Sequence, residues 1–180
     1  MLKKLLLLTV IAALFVPAVS AQDFKAGPQL GYQKASDADD PNIMFGAALR
    51  MKLLMGFGAE AAVHYRQQDY YDGDLTVRSY PITVTGMFYP ISLVYGLVGF
   101  GWYNTTFDYS GDLENQGAED DTQQEVGWHF GAGVELGFPN LTLTGDIRYV
   151  FLNYEWNDIP GQSEQDSDFY SINVGILFGI

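Results

Sequence analysis

Val126 to Phe138 reads VGWHFGAGVELGF. Val126, Trp128, Phe130, Ala132, Val134, Leu136 and Phe138 are apolar, and the intervening Gly127, His129, Gly131, Gly133, Glu135 and Gly137 are small or polar. A strand sends successive side chains to opposite faces, so this period of two makes one apolar face and one face of glycine, histidine and carboxylate. After Pro139-Asn140 the alternation returns, with Leu141, Leu143, Ile147, Tyr149 and Phe151 on one parity and Thr142, Thr144, Asp146 and Arg148 on the other. Val126 to Asn153 is therefore predicted to be a long hairpin.

Which face is the inside decides the fold. In a soluble sandwich or barrel the bulky apolar face is the core and charge lies outside. Here glycines crowd the face that bears Glu135, Asp146 and Arg148, which suits a cramped polar lumen. The broad aromatic and aliphatic face needs an apolar surrounding, and lipid supplies one: transmembrane barrels are built from segments of about ten residues, apolar outward and polar inward.

The same alternation runs outward in both directions. Asp23 to Gln33, Asn42 to Leu54, Phe57 to Gln68, Leu75 to Tyr89, Leu93 to Phe107 and Phe169 to Ile180 complete a set of eight strands. Pro28 lies inside the first, where it cannot donate to a ladder, so a local bulge is expected there. The fifth carries apolar residues on both parities, and its glycine parity (Tyr95, Leu97, Gly99, Gly101, Tyr103) is placed inside. Connections alternate between two- to four-residue turns with Gly, Pro or Asn and longer acidic loops at 34–41, 69–74, 108–125 and 154–168. Short turns on the periplasmic side and long loops outside are the expected asymmetry of an outer-membrane barrel. The long loops hold 18 of the 22 acids, and none falls on the proposed lipid face. The 108–125 segment, with seven acids and no base, reads as a solvated, mobile loop.

Lys3 and Lys4, the apolar run Leu5 to Val16 and the small residues Val19-Ser20-Ala21 read as a secretory signal peptide over 1–21, with the barrel domain over 22–180. Once that peptide is cleaved, the 9 basic residues fall to 7 against 22 acids. Such acidity argues against nucleic acid as a partner. There is no cysteine, which excludes a lipoprotein anchor and disulfides.

The stretches Tyr95-Gly96-Leu97-Val98-Gly99-Phe100-Gly101-Trp102 and Gly131-Ala132-Gly133-Val134-Glu135 resemble strands of the small eight-stranded outer-membrane barrels of the OmpX type and the OmpA transmembrane-domain type. The resemblance covers the mature chain in strand count and loop order. It implies a Gram-negative outer-membrane protein, folded by the barrel-assembly machinery, with roles in adhesion, host interaction or envelope integrity. Such barrels usually finish on an aromatic residue, whereas this chain ends Phe178-Gly179-Ile180.

Inward parity gathers Arg50, Lys52, Glu60, His64, Arg66, His129, Glu135, Asp146 and Arg148. An eight-stranded barrel is just wide enough for side chains to fill it, so these groups are expected to pair as a structural plug rather than line an ion path. Neither histidine has a serine in its own strand, which argues against the lipid-A-processing enzymes that share this architecture. No cofactor and no resident metal are expected, since the acids at 37–40 and 119–125 lack the spacing of a calcium loop. Lys34 and Arg78, outward near the loop ends, are candidate contacts for lipopolysaccharide phosphates. The expectation is an eight-stranded antiparallel up-and-down transmembrane β-barrel, all-β, monomeric and non-catalytic. It lies in outer-membrane lipid and acts through its acidic loops on a host or cell-surface protein, or as envelope material. The rivals are a secreted lipocalin-like carrier and a narrow pore.

Overall fold

The computed structural model describes residues 23–35, 42–70, 75–110, 121–154, 165–166 and 168–180. The segment read as a signal peptide and most of the acidic loop residues lie outside them.

Eight strands close on themselves: β1 (Asp23–Ala35), β2 (Asn42–Lys52), β3 (Phe57–Tyr70), β4 (Leu75–Ile91), β5 (Val94–Tyr109), β6 (Asp121–Gly137), β7 (Leu141–Phe151) and β10 (Phe169–Gly179). Each pairs antiparallel with its chain neighbour, and β10 meets both β7 and β1 to shut the barrel. Two short strands, β8 (Asn153–Tyr154) and β9 (Gln165–Asp166), pair separately above β7. The β2–β3 turn, Leu54–Gly56, holds Met55 at φ 66° and Gly56 at φ 78°. The glycine takes that left-handed backbone freely, and Met55 takes it at a cost.

Alternation sorts the side chains as the sequence predicts. Trp128 (63% exposed), Leu30 (61%) and Val98 (60%) face out, while Arg50, His129 (1% each) and Glu60 (2%) face in. On β5 the glycine parity is the inner one, with Tyr95, Leu97, Gly99, Gly101 and Tyr103 all buried. The outer face carries two aromatic bands. Towards the loop end Tyr65 packs, tilted, between Phe45 (5.8 Å) and Tyr80 (5.1 Å), and Tyr149 meets Tyr170 at 4.8 Å. Towards the turn end Phe57 meets Phe88 at 5.3 Å. Aromatic girdles flanking an apolar belt mark the two membrane–water interfaces.

Two local expectations are corrected. Pro28 makes no bulge: the β1–β10 ladder omits Gly27 and Pro28 and resumes at Gln29–Gly175 in the same register, with Pro28 facing outward. The bulge lies instead on β4 between Phe88 and Ile91, around Pro90, where the register against β5 slips by one residue. The acidic segment 108–125 is not all loop, because Asp108 pairs with Thr76, Asp121 with Phe107 and Glu125 with Tyr103.

That last correction makes the barrel uneven in height. Strands β3 to β6 have 14, 17, 16 and 17 residues against 11 in β2, β7 and β10. On β5 seven residues follow Trp102, and on β6 seven precede Trp128, while β7 stops at Phe151.

Candidate functional site

The lumen is where the charged inward residues converge. Arg50 is central. Its Nη2 and Nε donate to Glu60 Oε2 at 2.6 and 3.0 Å, and its Nη1 donates to Glu135 Oε2 at 3.2 Å. Arg148 donates through Nη2 to Glu60 Oε1 at 2.8 Å and through Nε to Asp146 Oδ1 at 2.6 Å. Glu60 thus bridges both guanidinium groups, one on each carboxylate oxygen. Nearer the turns, Lys52 reaches Glu135 Oε1 at 2.7 Å and Lys25 stands 3.7 Å from the same oxygen.

Neutral groups satisfy what remains. Tyr89 donates to Glu135 at 2.8 Å, Tyr95 and Asn173 to Asp146 at 3.0 Å each, and Gln29 to Glu60 at 3.3 Å. The Arg50 guanidinium also lies over the Tyr95 ring, 4.9 Å from its centroid. Desolvated charges are tolerated only when paired and hydrogen-bonded, and each acid here has a cation and at least one neutral donor.

Reading the inward charges alone locates the ion pairs and misses Gln29, Tyr89, Tyr95, Thr85 and Asn173, which carry the same inward parity. A second signal also points to them. Several inward glycines lie across from a bulky polar residue on the next strand: Gly133 opposite Tyr95, Gly99 opposite His129, and Gly46 opposite His64. A Cβ at Gly133 would come within 2.5 Å of the Tyr95 ring, and one at Gly99 within 2.6 Å of His129 Nε2. The glycines make the room that the large side chains occupy.

Above the ion pairs the lumen changes character. His129 Nε2 lies 2.9 Å from Thr85 Oγ1, and His64 is buried beside it in the chain of inward residues on β3. Tyr103, Val150, Leu152 and Phe169 then form an apolar cluster towards the loops, with Tyr103 and Phe169 edge to face at 6.0 Å. Arg66 is half-buried further towards the rim, opposite Ser79. Among the described residues no group of three or more His, Cys, Asp or Glu is placed to hold a metal ion. Of the two outward cations, Lys34 is exposed and pairs in register with Tyr170. Arg78 binds Asp108 across β4 and β5 at 2.6 Å, so an acid of its own chain already engages it.

A closed barrel with apolar residues outside, aromatic bands at two heights and charge packed within defines an integral outer-membrane β-barrel. Residues 5–178 match the family model of the outer membrane protein beta-barrel domain, and the chain belongs to that family. It is an outer-membrane protein. Its fold is similar to that of Ail, the attachment invasion locus protein of Yersinia pestis, solved in complex with the heparin analogue sucrose octasulfate (16% identity, TM-score 0.55, 88% of this chain and 97% of that one). It is likewise similar to Neisserial surface protein A (14%, 0.55, 87% and 97%) and to a major outer membrane protein from Thermus thermophilus (11%, 0.57, 89% and 100%). No curated protein matches the sequence.

Proposed function

We propose that this barrel is a non-catalytic surface protein whose lumen is a structural plug and whose acidic rim makes the contacts. The observation that carries this reading is the division of charge. Inside, the described acids are bound to cations, whereas 18 of the 22 acids of the sequence fall at 37–40, 69–74, 108–125 and 155–168, in the outer ends of strands and the segments that join them. Chemistry available to a partner is therefore at the rim.

Two features of the lumen argue against catalysis and conduction. The Thr85–His129 contact has the form of a hydroxyl beside a base. Yet Thr85 is 1% exposed and His129 Nδ1 has no carboxylate to orient it, so the third member of a nucleophilic triad is missing. Ion pairs spanning β2, β3, β6 and β7 block the bore where a pore would need water.

The sulfated ligand in the Yersinia pestis Ail structure is a polyanion. A rim as acidic as this one repels such a ligand, and it favours a basic protein surface or divalent cations that bridge to lipopolysaccharide phosphates. Lys34 supplies a direct contact to phosphate, while Arg78 must first leave Asp108. The barrel serves as a monomer, delivered to the membrane by the assembly machinery after loss of residues 1–21.

The test is binding of reconstituted protein to a basic protein surface across a salt series, with and without deletion of residues 112–119. That deletion spares the paired residues of β5 and β6. Binding should weaken with salt and fall on deletion. Binding indifferent to both would leave the protein as envelope scaffold.

A further inference from the structure

Between the ion pairs and the apolar cluster lies a cavity of about 20 Å³, lined by His64 on β3, Thr83 on β4 and His129 on β6, with Arg148, Ser171 and Asn173 on its other sides. The first three are 4%, 7% and 1% exposed. Each has a buried polar atom with no protein partner: His64 Nε2, Thr83 Oγ1 and His129 Nδ1. Three such atoms around one space point to a shared ligand, because buried polar groups are normally hydrogen-bonded.

The neighbours fix what that ligand must offer. Thr85 Oγ1 accepts from Arg148 Nη1 at 3.5 Å and lies 2.9 Å from His129 Nε2, to which its own hydrogen can be given. A neutral imidazole carries one ring hydrogen; with the Thr85 hydroxyl donating to Nε2, that hydrogen sits on His129 Nδ1, a donor that needs an acceptor. No carboxylate lines the cavity, and the Arg148 guanidinium does. A cation would meet that charge with no anionic ligand. An apolar occupant would leave all three polar atoms unanswered.

We propose that His64, Thr83 and His129 form a binding site for a single water molecule. It accepts from His129 Nδ1–H, donates to His64 Nε2 and exchanges a third bond with the Thr83 hydroxyl. The volume fits, since one water needs roughly 10–15 Å³ and such waters make about three hydrogen bonds. The site also falls beside a lapse in the wall's own ladder. The β3–β4 ladder runs to Val63–Ile82 and resumes at Arg66–Ser79, omitting the position of Pro81, which has no N–H to give. A water joined to β3, β4 and β6 would tie strands together at the height where their own ladder lapses.

The experiment is a crystal structure of the full barrel at a resolution that shows ordered solvent, from crystals grown in chloride and in bromide. One peak at about 2.7–3.2 Å from all three atoms, without bromide anomalous signal, is the expected result. An anomalous peak there would replace the water with an anion and overturn the proposal. So would a collapsed cavity in which two of the side chains bond each other. Nitrogen-15 spectra of the imidazoles in detergent give an independent reading. His129 should be neutral with its hydrogen on Nδ1 and His64 should accept at Nε2. A histidinium on either ring at neutral pH would contradict the assignment. In Thr83→Val, which keeps shape and removes the hydroxyl, the three-bonded water should be lost or displaced. An unmoved water in that variant would remove Thr83 from the site.

Discussion

The two faces of this wall are made from alternate residues of the same strands and are held by opposite means. On the inner face the charged side chains have named partners and little spare room, as Glu60 shows between two arginines and Arg50 against Tyr95. On the outer face residues are exchangeable by size and constrained only by polarity. Gly96, which faces outward, has no atom within 4 Å of where a Cβ would stand. The inside is a specified arrangement and the outside is a solvent match.

Removing one inner partner should have the largest effect. Arg148→Leu would leave Asp146 and Glu60 buried with fewer donors, and should cost roughly 3–5 kcal/mol in urea unfolding from lipid vesicles. A loss near zero would mean that water reaches these acids freely. Placing charge on the outer face comes next. Ala132→Arg, at mid-strand on β6, should cost about 2–4 kcal/mol in the same assay, and a neutral result would exchange inside and outside.

A pair of glycines sharpens the comparison further. Gly99→Ala should destabilise by roughly 1–3 kcal/mol, because the new methyl meets His129 and the β4 backbone. Gly96→Ala, three residues away on the opposite face, should instead be neutral or stabilise by about 0.5–1 kcal/mol. The smallest effect is expected at the rim: Arg78→Ala breaks a half-exposed ion pair with Asp108 and should change stability by about 0–1 kcal/mol.

Strand count, pairing order and the facing of nearly all residues follow from period two, because a one-residue error would turn an apolar row into the lumen. The inward facing of Arg50, Glu60, Glu135, Asp146 and Arg148 is legible for the same reason. Partner choice is not, since parity places Arg50 and Arg148 inside without saying that Glu60 lies between them. That depends on the stagger between strands. Prolines are the other blind spot. Pro28 and Pro81 sit in strands whose registers continue past them, whereas Pro90 accompanies a slip, and local sequence does not distinguish these outcomes. Charge alone makes Asp108, Asp121 and Glu125 read as loop, yet they pair in the ladder because it rises beyond the membrane, where acids meet water.

The uneven rim gives the molecule a direction. Seven residues of tilted strand beyond Trp102 lift the β4–β5–β6 side roughly 15–20 Å above its aromatic band, while β7 ends level with its own. At a cell surface covered in sugar chains, height is access. Among the described strands of the barrel, the β4–β5–β6 flank would emerge from that layer before the β7 flank, so an approaching macromolecule would meet it first. Its docking angle would then be inherited from strand length, before any individual residue took part in recognition.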